Sequence, residues 1–197
     1  NNYHYGGGPS GTDPMNLSSD GYRFANSTLL AAAAPDQPAY GFIDPFAGGH
    51  TEITTWTSGS DDDGYLLVPD IGFPFEFFGN TYQLNDVYVN TNGVLSFGAP
   101  QSSYLLGNNT PPAAGDGSNF IAACWMDLDD DTDGRIFYHS AGGQFIVTWW
   151  HYHDYADVNE YITVQLVLFS DGRFELRFND AESTADDGVY TDILNDA

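Results

Sequence analysis

The order of apolar and polar positions beyond residue 64 predicts a series of short β-strands. Strand-length apolar segments recur at 65–68, 73–78, 120–126, 135–139 and 145–152, with a weaker one at 189–194. Turn residues separate these segments, and no helical segments alternate with them, which is typical of antiparallel sheets. We therefore predict an all-β fold, an antiparallel two-sheet β-sandwich of the jelly-roll or immunoglobulin-like kind.

The apolar alternation also aligns two hairpins residue by residue. A three-residue loop at 91–93 places the apolar residues of 87–89 opposite those of 95–97 on one face, whereas a two-residue loop would mix the faces. A three-residue loop at 170–172 does the same for 164–168 and 174–178. Both loops end in glycine, as in a type I turn followed by a left-handed bulge residue. We therefore expect positive φ at Gly93 and Gly172.

The first 19 residues are polar and rich in Gly, Pro and Ser, so they predict no structure of their own. We divide the chain into an extended arm at 1–19 and a single sandwich domain at 20–197. Two apolar pieces of the arm are suited to adding a strand to another sheet. They contain Tyr3 and Tyr5, and Met15 and Leu17.

The charge of the chain limits its partners. It has 28 acidic residues against four Lys plus Arg, a formal net charge of -24. Such a surface repels phosphate backbones, so we expect no nucleic-acid binding and no membrane insertion, and cations are the natural partners. The chain starts with Asn1 and Asn2 instead of Met, which we interpret as a processed, secreted product. The lone Cys124 lies in an apolar run, as a buried and inert thiol does.

An ordered series of motifs resembles a known family. It runs through Asp20-Gly21-Tyr22, Tyr40-Gly41-Phe42-Ile43-Asp44, the aromatic segment 71–82, the hairpin 87–97, the run 121–128 and the strand 164–168. This series, over about residues 20–180, is similar to the nidogen-like β-sandwich module of bacterial and archaeal secreted surface proteins, also found beside secreted subtilisin-like proteases. The resemblance implies a non-catalytic, extracellular, structural or adhesive module at the cell surface. The tail after residue 185 is shorter and more polar than the family pattern, so we expect an open sheet edge.

Two acidic stretches are candidate calcium sites. Asp129-x-Asp131-x-Asp133-Gly134 matches the first half of a calcium loop, with Asp127 as a further ligand. The twelfth position is Ser140, not the closing Glu of an EF-hand, so a calcium site of another type competes with a solvated acidic turn. Residues Asp61, Asp62 and Asp63 form a weaker second candidate.

The residues support three other kinds of site less well: a catalytic site, a transition-metal site and a sugar-binding surface. Asp127, Asp129 and Asp131 alternate as the carboxylates of jelly-roll glucanases do, but nothing completes an acid and base pair, and we predict no enzyme. His151 and His153 are spaced to chelate a transition metal, although a third ligand is not evident. Trp150 and Tyr152 are a candidate sugar-stacking platform, against the alternative that these aromatics pack in the core.

From these observations we predict a non-catalytic extracellular subunit, structural or adhesive, that assembles head-to-tail into a surface filament. The arm would act as a donor strand for the next copy of the chain. The alternative is a calcium-dependent carbohydrate-binding accessory module of a larger secreted enzyme.

Overall fold

The computed structural model describes residues 2–7, 22–26, 41–101, 119–124, 126–130 and 133–182. Its regular elements are all strands. In chain order they are Asn2–Gly7 (β1), Tyr22–Asn26 (β2), Thr51–Glu52 (β3), Tyr65–Phe77 (β4), Asn80–Asn90 (β5), Val94–Phe97 (β6), Phe120–Ala122 (β7), Leu128–Asp129 (β8), Arg135–Ala141 (β9), Gln144–Asp154 (β10), Asp157–Phe169 (β11) and Phe174–Glu182 (β12).

The strands form two antiparallel sheets that pack face to face, which confirms the predicted β-sandwich. The larger sheet has the order β2-β1-β12-β11-β10-β9-β3, and β8 also pairs with β10. The smaller sheet has the order β4-β5-β6-β7. One continuous apolar core fills the space between them, with Phe75, Val89, Trp149 and Leu166 among its fully buried members. Alternation along β4, where every second residue from 71 to 77 is buried, shows how a strand with one face on the core must be patterned.

The predicted hairpin registers are confirmed. The pairs are Val89 with Leu95 and Val87 with Phe97 in the first hairpin, and Leu168 with Phe174, Leu166 with Leu176 and Val164 with Phe178 in the second. Gly93 and Gly172 have φ of 75° and 88°, as the bulged turns require. The predicted strands at 65–68 and 73–78 are one strand, β4, with irregular pairing between them. The strand predicted at 120–126 ends at Ala122, and the weak one at 189–194 lies outside the described residues.

The arm contributes a strand to its own sheet. β1 pairs antiparallel with β12, with Tyr3 opposite Leu176 and Tyr5 opposite Phe174. β2 pairs with the other side of β1. The edge that we expected to be open is therefore occupied at β12 by the same chain, whereas Met15 and Leu17 lie outside the described residues.

The outer face of the larger sheet is also covered, by residues 43–46. Gln165 is fully buried there, and its amide accepts a hydrogen bond from the Ile43 backbone N–H at 3.0 Å and donates another to the Ile43 carbonyl. Phe46 packs edge-on against the rings of Phe137 and Trp150, with centroids 5.1 and 5.0 Å away. This segment therefore packs on part of the outer face, against β9, β10 and β11.

Candidate metal centre

The two acidic stretches that the sequence suggested separately meet at one end of the sandwich, beside the end of β10. The Tyr152 hydroxyl, on β10, donates a 2.6 Å hydrogen bond to the carbonyl oxygen of Asp61. Three residues later, the Tyr155 backbone N–H donates to the carbonyl oxygen of Asp127 at 2.9 Å. A single strand end therefore fixes the position of both acidic segments.

Asn92, in the turn between β5 and β6, joins the same two segments from the other side. Its side-chain amide is fully buried. The amide nitrogen donates to Asp63 Oδ1 at 3.0 Å, and the amide oxygen accepts from the Leu128 backbone N–H at 2.7 Å. Because an amide offers a donor and an acceptor at once, Asn suits this position. The sequence places residue 92 in a turn but carries no signal of this second role.

Three carboxylates converge where the segments meet. One oxygen from each of Asp62, Asp63 and Asp127 lies within 4.8 Å of the other two. Calcium binds oxygens at about 2.3–2.6 Å, so two ligands of one ion are separated by at most about 5 Å, and this trio fits that limit. Asp62 Oδ1 is buried and has no hydrogen-bond partner, the condition of an oxygen that a cation would satisfy.

The electrostatics of the cluster disfavour its own ionised form. Burial raises the pKa of Asp62, and the neighbouring charge of Asp63 raises it further. The pKa of Asp127 is raised for the same two reasons, burial first and then Asp63. Burial, with the charges of Asp61 and Asp129 and hydrogen bonds to both, raises the pKa of Asp130 to about 6. A positive charge placed here would offset this repulsion.

Of the calcium loop predicted from the sequence, Asp127 is the residue that belongs to the described trio of converging carboxylates. Asp127 joins Asp62 and Asp63 of the stretch that we ranked second, whereas Asp61 contributes its carbonyl to Tyr152 and its charge to the cluster. Asp129 contributes its negative charge to the cluster. Asp131 lies outside the described residues.

Asp133 lies apart from this cluster and binds the histidine pair of β10. Its Oδ1 is 2.7 Å from His153 Nε2, and its Oδ2 is 3.5 Å from His151 Nδ1. These hydrogen bonds, that to His153 first, lower the pKa of Asp133. The sequence did not connect Asp133 with the two histidines, and the described trio of converging carboxylates does not include it.

The predicted sugar-stacking pair does not share a surface, because β10 contains a bulge. The pairing of β10 with β11 shifts between Trp149 and Tyr152, and His151 has a φ of 49°. The bulge shifts the alternation of side chains, so that Tyr152 enters the core with 1% exposure. Trp150 stays outside, where its ring stacks on His151 with centroids 4.0 Å apart. Tyr152 therefore presents no ring face to a ligand, and glycan binding stays a prediction.

Comparison with known proteins gives a consistent picture. A family model described as NIDO related matches residues 37–193. Alpha-tectorin of Mus musculus is 32% identical over 142 residues, which cover 57% of this chain and 6% of that protein. Alpha-tectorin of Homo sapiens is 31% identical over 142 residues with the same coverage, and that of Gallus gallus is 31% identical over 140 residues, covering 56% and 6%. The chain thus spans about 6% of the length of these curated relatives. No solved structure matches it.

These findings support the nidogen-like resemblance but not the bacterial or archaeal setting that we attached to it, because the relatives named above are from vertebrates. Within the described residues, no helix is long and apolar enough to cross a membrane. Cys124 is buried, as predicted.

Proposed function

The chain belongs to the NIDO-related family, and from this premise we propose that it is a structural subunit that joins further copies of itself by exchanging strand β1. Membership of this family makes the chain an extracellular, non-catalytic module, in agreement with the secreted or cell-surface location expected from the sequence.

The pairing of β1 with β12 carries the assembly proposal. β1 is the first strand that the structure describes, and in the larger sheet it lies between β2 and β12, the last described strand. The same backbone hydrogen bonds form when β1 of one copy pairs with β12 of another, since strand addition depends mainly on the backbone. Exchange between copies needs no new interface, and head-to-tail exchange that does not close into a ring yields a filament.

A matched pair of substitutions tests this step. His4, in the middle of β1, lies opposite Glu175. His4→Pro removes a backbone N–H from β1 and disfavours pairing, whereas His4→Ala keeps the backbone donor. We expect light scattering and negative-stain microscopy to show assemblies for the unmodified chain and His4→Ala, and their loss in His4→Pro and on deletion of residues 1–19. A compact monomer at all concentrations of the unmodified chain would refute the proposal.

We further propose that calcium binds the trio of Asp62, Asp63 and Asp127. The spacing of the three carboxylates, the unpartnered Asp62 oxygen and the raised pKa values of Asp62 and Asp127 support it. With a formal net charge of -24, copies of the chain repel one another, so a bound divalent cation also favours their assembly.

Calorimetric titration of the metal-free protein tests the cation separately from assembly. We expect saturable binding of calcium, a higher melting temperature, and loss of both in Asp127→Asn. Glu76 is exposed on β4, and Glu76→Gln removes the same charge as Asp127→Asn. This control variant should bind calcium, and be stabilised by it, like the unmodified chain. Magnesium and sodium chloride at equal ionic strength separate specific binding from screening. An equal effect of all three salts would contradict a calcium site.

A further inference from the structure

Asn92 precedes Gly93, and this is the one Asn-Gly dipeptide in the chain. The side chain of Asn can cyclise onto the backbone nitrogen of the next residue, and a following glycine has no side chain to block the approach. In this reaction the Gly93 nitrogen bonds to Asn92 Cγ, the Cγ–Nδ2 bond breaks, and ammonia leaves with the proton from Gly93. Water then opens the succinimide ring at either carbonyl, which leaves Asp or isoaspartate at position 92.

The folded chain restrains both groups that take part in this reaction. The Asn92 side chain is fully buried, donates to Asp63 Oδ1 at 3.0 Å and accepts from the Leu128 backbone N–H at 2.7 Å. Gly93 has a φ of 75°, and its carbonyl oxygen accepts a hydrogen bond from the Ala123 backbone N–H at 2.8 Å. Ring closure removes the Asn92 amide nitrogen, so it must first break the hydrogen bond to Asp63.

The rest of the turn is held in place by its own contacts. The Asn92 backbone N–H donates to Asn90 Oδ1 at 2.7 Å. The Thr91 backbone N–H donates to the Gly64 carbonyl oxygen at 3.0 Å, and Thr91 Oγ1 accepts from the Gly64 N–H at 3.1 Å. Asn90, Thr91 and Asn92 are fully buried, so the water needed for the second step has little access. A rearrangement of the turn must therefore break its contacts with residues 63–64.

We propose that Asn92–Gly93 is a deamidation site, which the acidic junction, where residues 61–63 and 127–128 meet Asn92, keeps closed in the folded chain and exposes when it opens. The reaction makes the opening permanent. Asp at position 92 replaces the donor to Asp63 with a second carboxylate, and isoaspartate adds a carbon to the backbone of the turn. Neither product restores the bridge that the amide makes between the two segments. The site depends on neither strand exchange nor a bound cation.

Peptide mapping by mass spectrometry tests the proposal on the full chain, kept folded in buffer or unfolded in guanidinium chloride at the same pH and temperature. We expect deamidation at Asn92 to be at least about tenfold slower in the folded chain, because ring closure there breaks a hydrogen bond to a charged group. Asn80 is the internal control, since it is exposed at the start of β5 and its rate should change little on unfolding. Equal rates at Asn92 in the two states would overturn the proposal.

A matched pair of substitutions separates the hydrogen bond of the amide from general burial. Asp63→Asn keeps an oxygen that accepts from Asn92 Nδ2, whereas Asp63→Ala removes the acceptor. We expect faster deamidation in folded Asp63→Ala than in folded Asp63→Asn, with near-ultraviolet circular dichroism to verify folding. Equal rates in the two folded variants would contradict protection by this hydrogen bond. If Asp63→Ala does not fold, the comparison of folded and unfolded unmodified chain still decides.

The melting temperature of refolded chains tests whether the change is permanent. Chains that have been unfolded, aged and refolded should separate into those that keep Asn92 and those that carry Asp or isoaspartate. We expect a lower melting temperature for the second group, because the amide bridge to Asp63 and Leu128 is lost. The same melting temperature for both groups would show that deamidation leaves the acidic junction intact and would overturn the proposal.

Discussion

The substitution Asn92→Asp tests whether one buried amide holds the two acidic segments together. The change is isosteric, and a carboxylate oxygen still accepts from Leu128 N–H. The other oxygen, however, replaces a donor that is 3.0 Å from Asp63 Oδ1. The chain thus loses a hydrogen bond to a charged group, about 1.5–3 kcal/mol. It gains a carboxylate pair whose repulsion is about 4 kcal/mol at 4 Å for an effective dielectric constant of 20.

Solvent screening reduces the combined cost of the lost hydrogen bond and the repulsion, because Asp63 is only partly buried. We therefore expect Asn92→Asp to lower the free energy of unfolding by about 2–4 kcal/mol at pH 7, or the melting temperature by roughly 5–15 °C for a chain of this length. Asn80→Asp adds the same charge at an exposed position at the start of β5, and its effect should lie within about 0.5 kcal/mol.

The dependence on pH and calcium separates repulsion from lost packing. Repulsion from Asp63 would raise the folded-state pKa of a carboxyl at position 92, so its cost is absent at low pH and grows as the pH rises from the ordinary carboxyl value to that raised value. Thermal unfolding followed by near-ultraviolet circular dichroism at pH 4 and pH 7 should show the deficit shrinking in acid, and at pH 7 calcium should reduce it. If Asn92→Asp and the unmodified chain have the same melting temperature at pH 7 without divalent cations, Asn92 does not hold the two acidic segments together.

Three further predictions address the turn, the covering segment and the cluster. Gly172→Ala should cost about 1 kcal/mol more than Gly41→Ala in urea unfolding, because an added Cβ meets nothing within 4 Å at either position but only Gly172 has a positive φ, of 88°. Gln165→Ala removes both hydrogen bonds to the Ile43 backbone and should speed amide exchange and proteolysis in residues 41–50 while the core stays protected. Asp130→Asn should stabilise the fold by about 1 kcal/mol at pH 8 and have no effect at pH 3, since a folded pKa of about 6 makes the ionised form costly only at higher pH.

The parts of the fold that could be predicted are those that alternation determines. In the hairpin of β11 and β12, a shift by one residue would turn Leu166 and Leu168 towards solvent, so the pattern allows one register, and the structure has it. The bulge in β10 could not be predicted in this way. Trp149, Trp150, His151 and Tyr152 are all compatible with either face, and the φ of 49° at His151 lies within the register shift between β10 and β11.

The candidate metal centre likewise combines a contact within one sheet and a contact between the two sheets. Within the smaller sheet, Tyr65 pairs with Asn90, and this contact brings residues 61–63 beside the turn that contains Asn92. The approach of Asp127 follows from a different contact. It depends on how the larger sheet packs on the smaller one, expressed in the hydrogen bond between Tyr152 and Asp61, 91 positions apart. No periodicity in the sequence encodes a contact between sheets, and a ligand set divided between them becomes visible only when the two are packed.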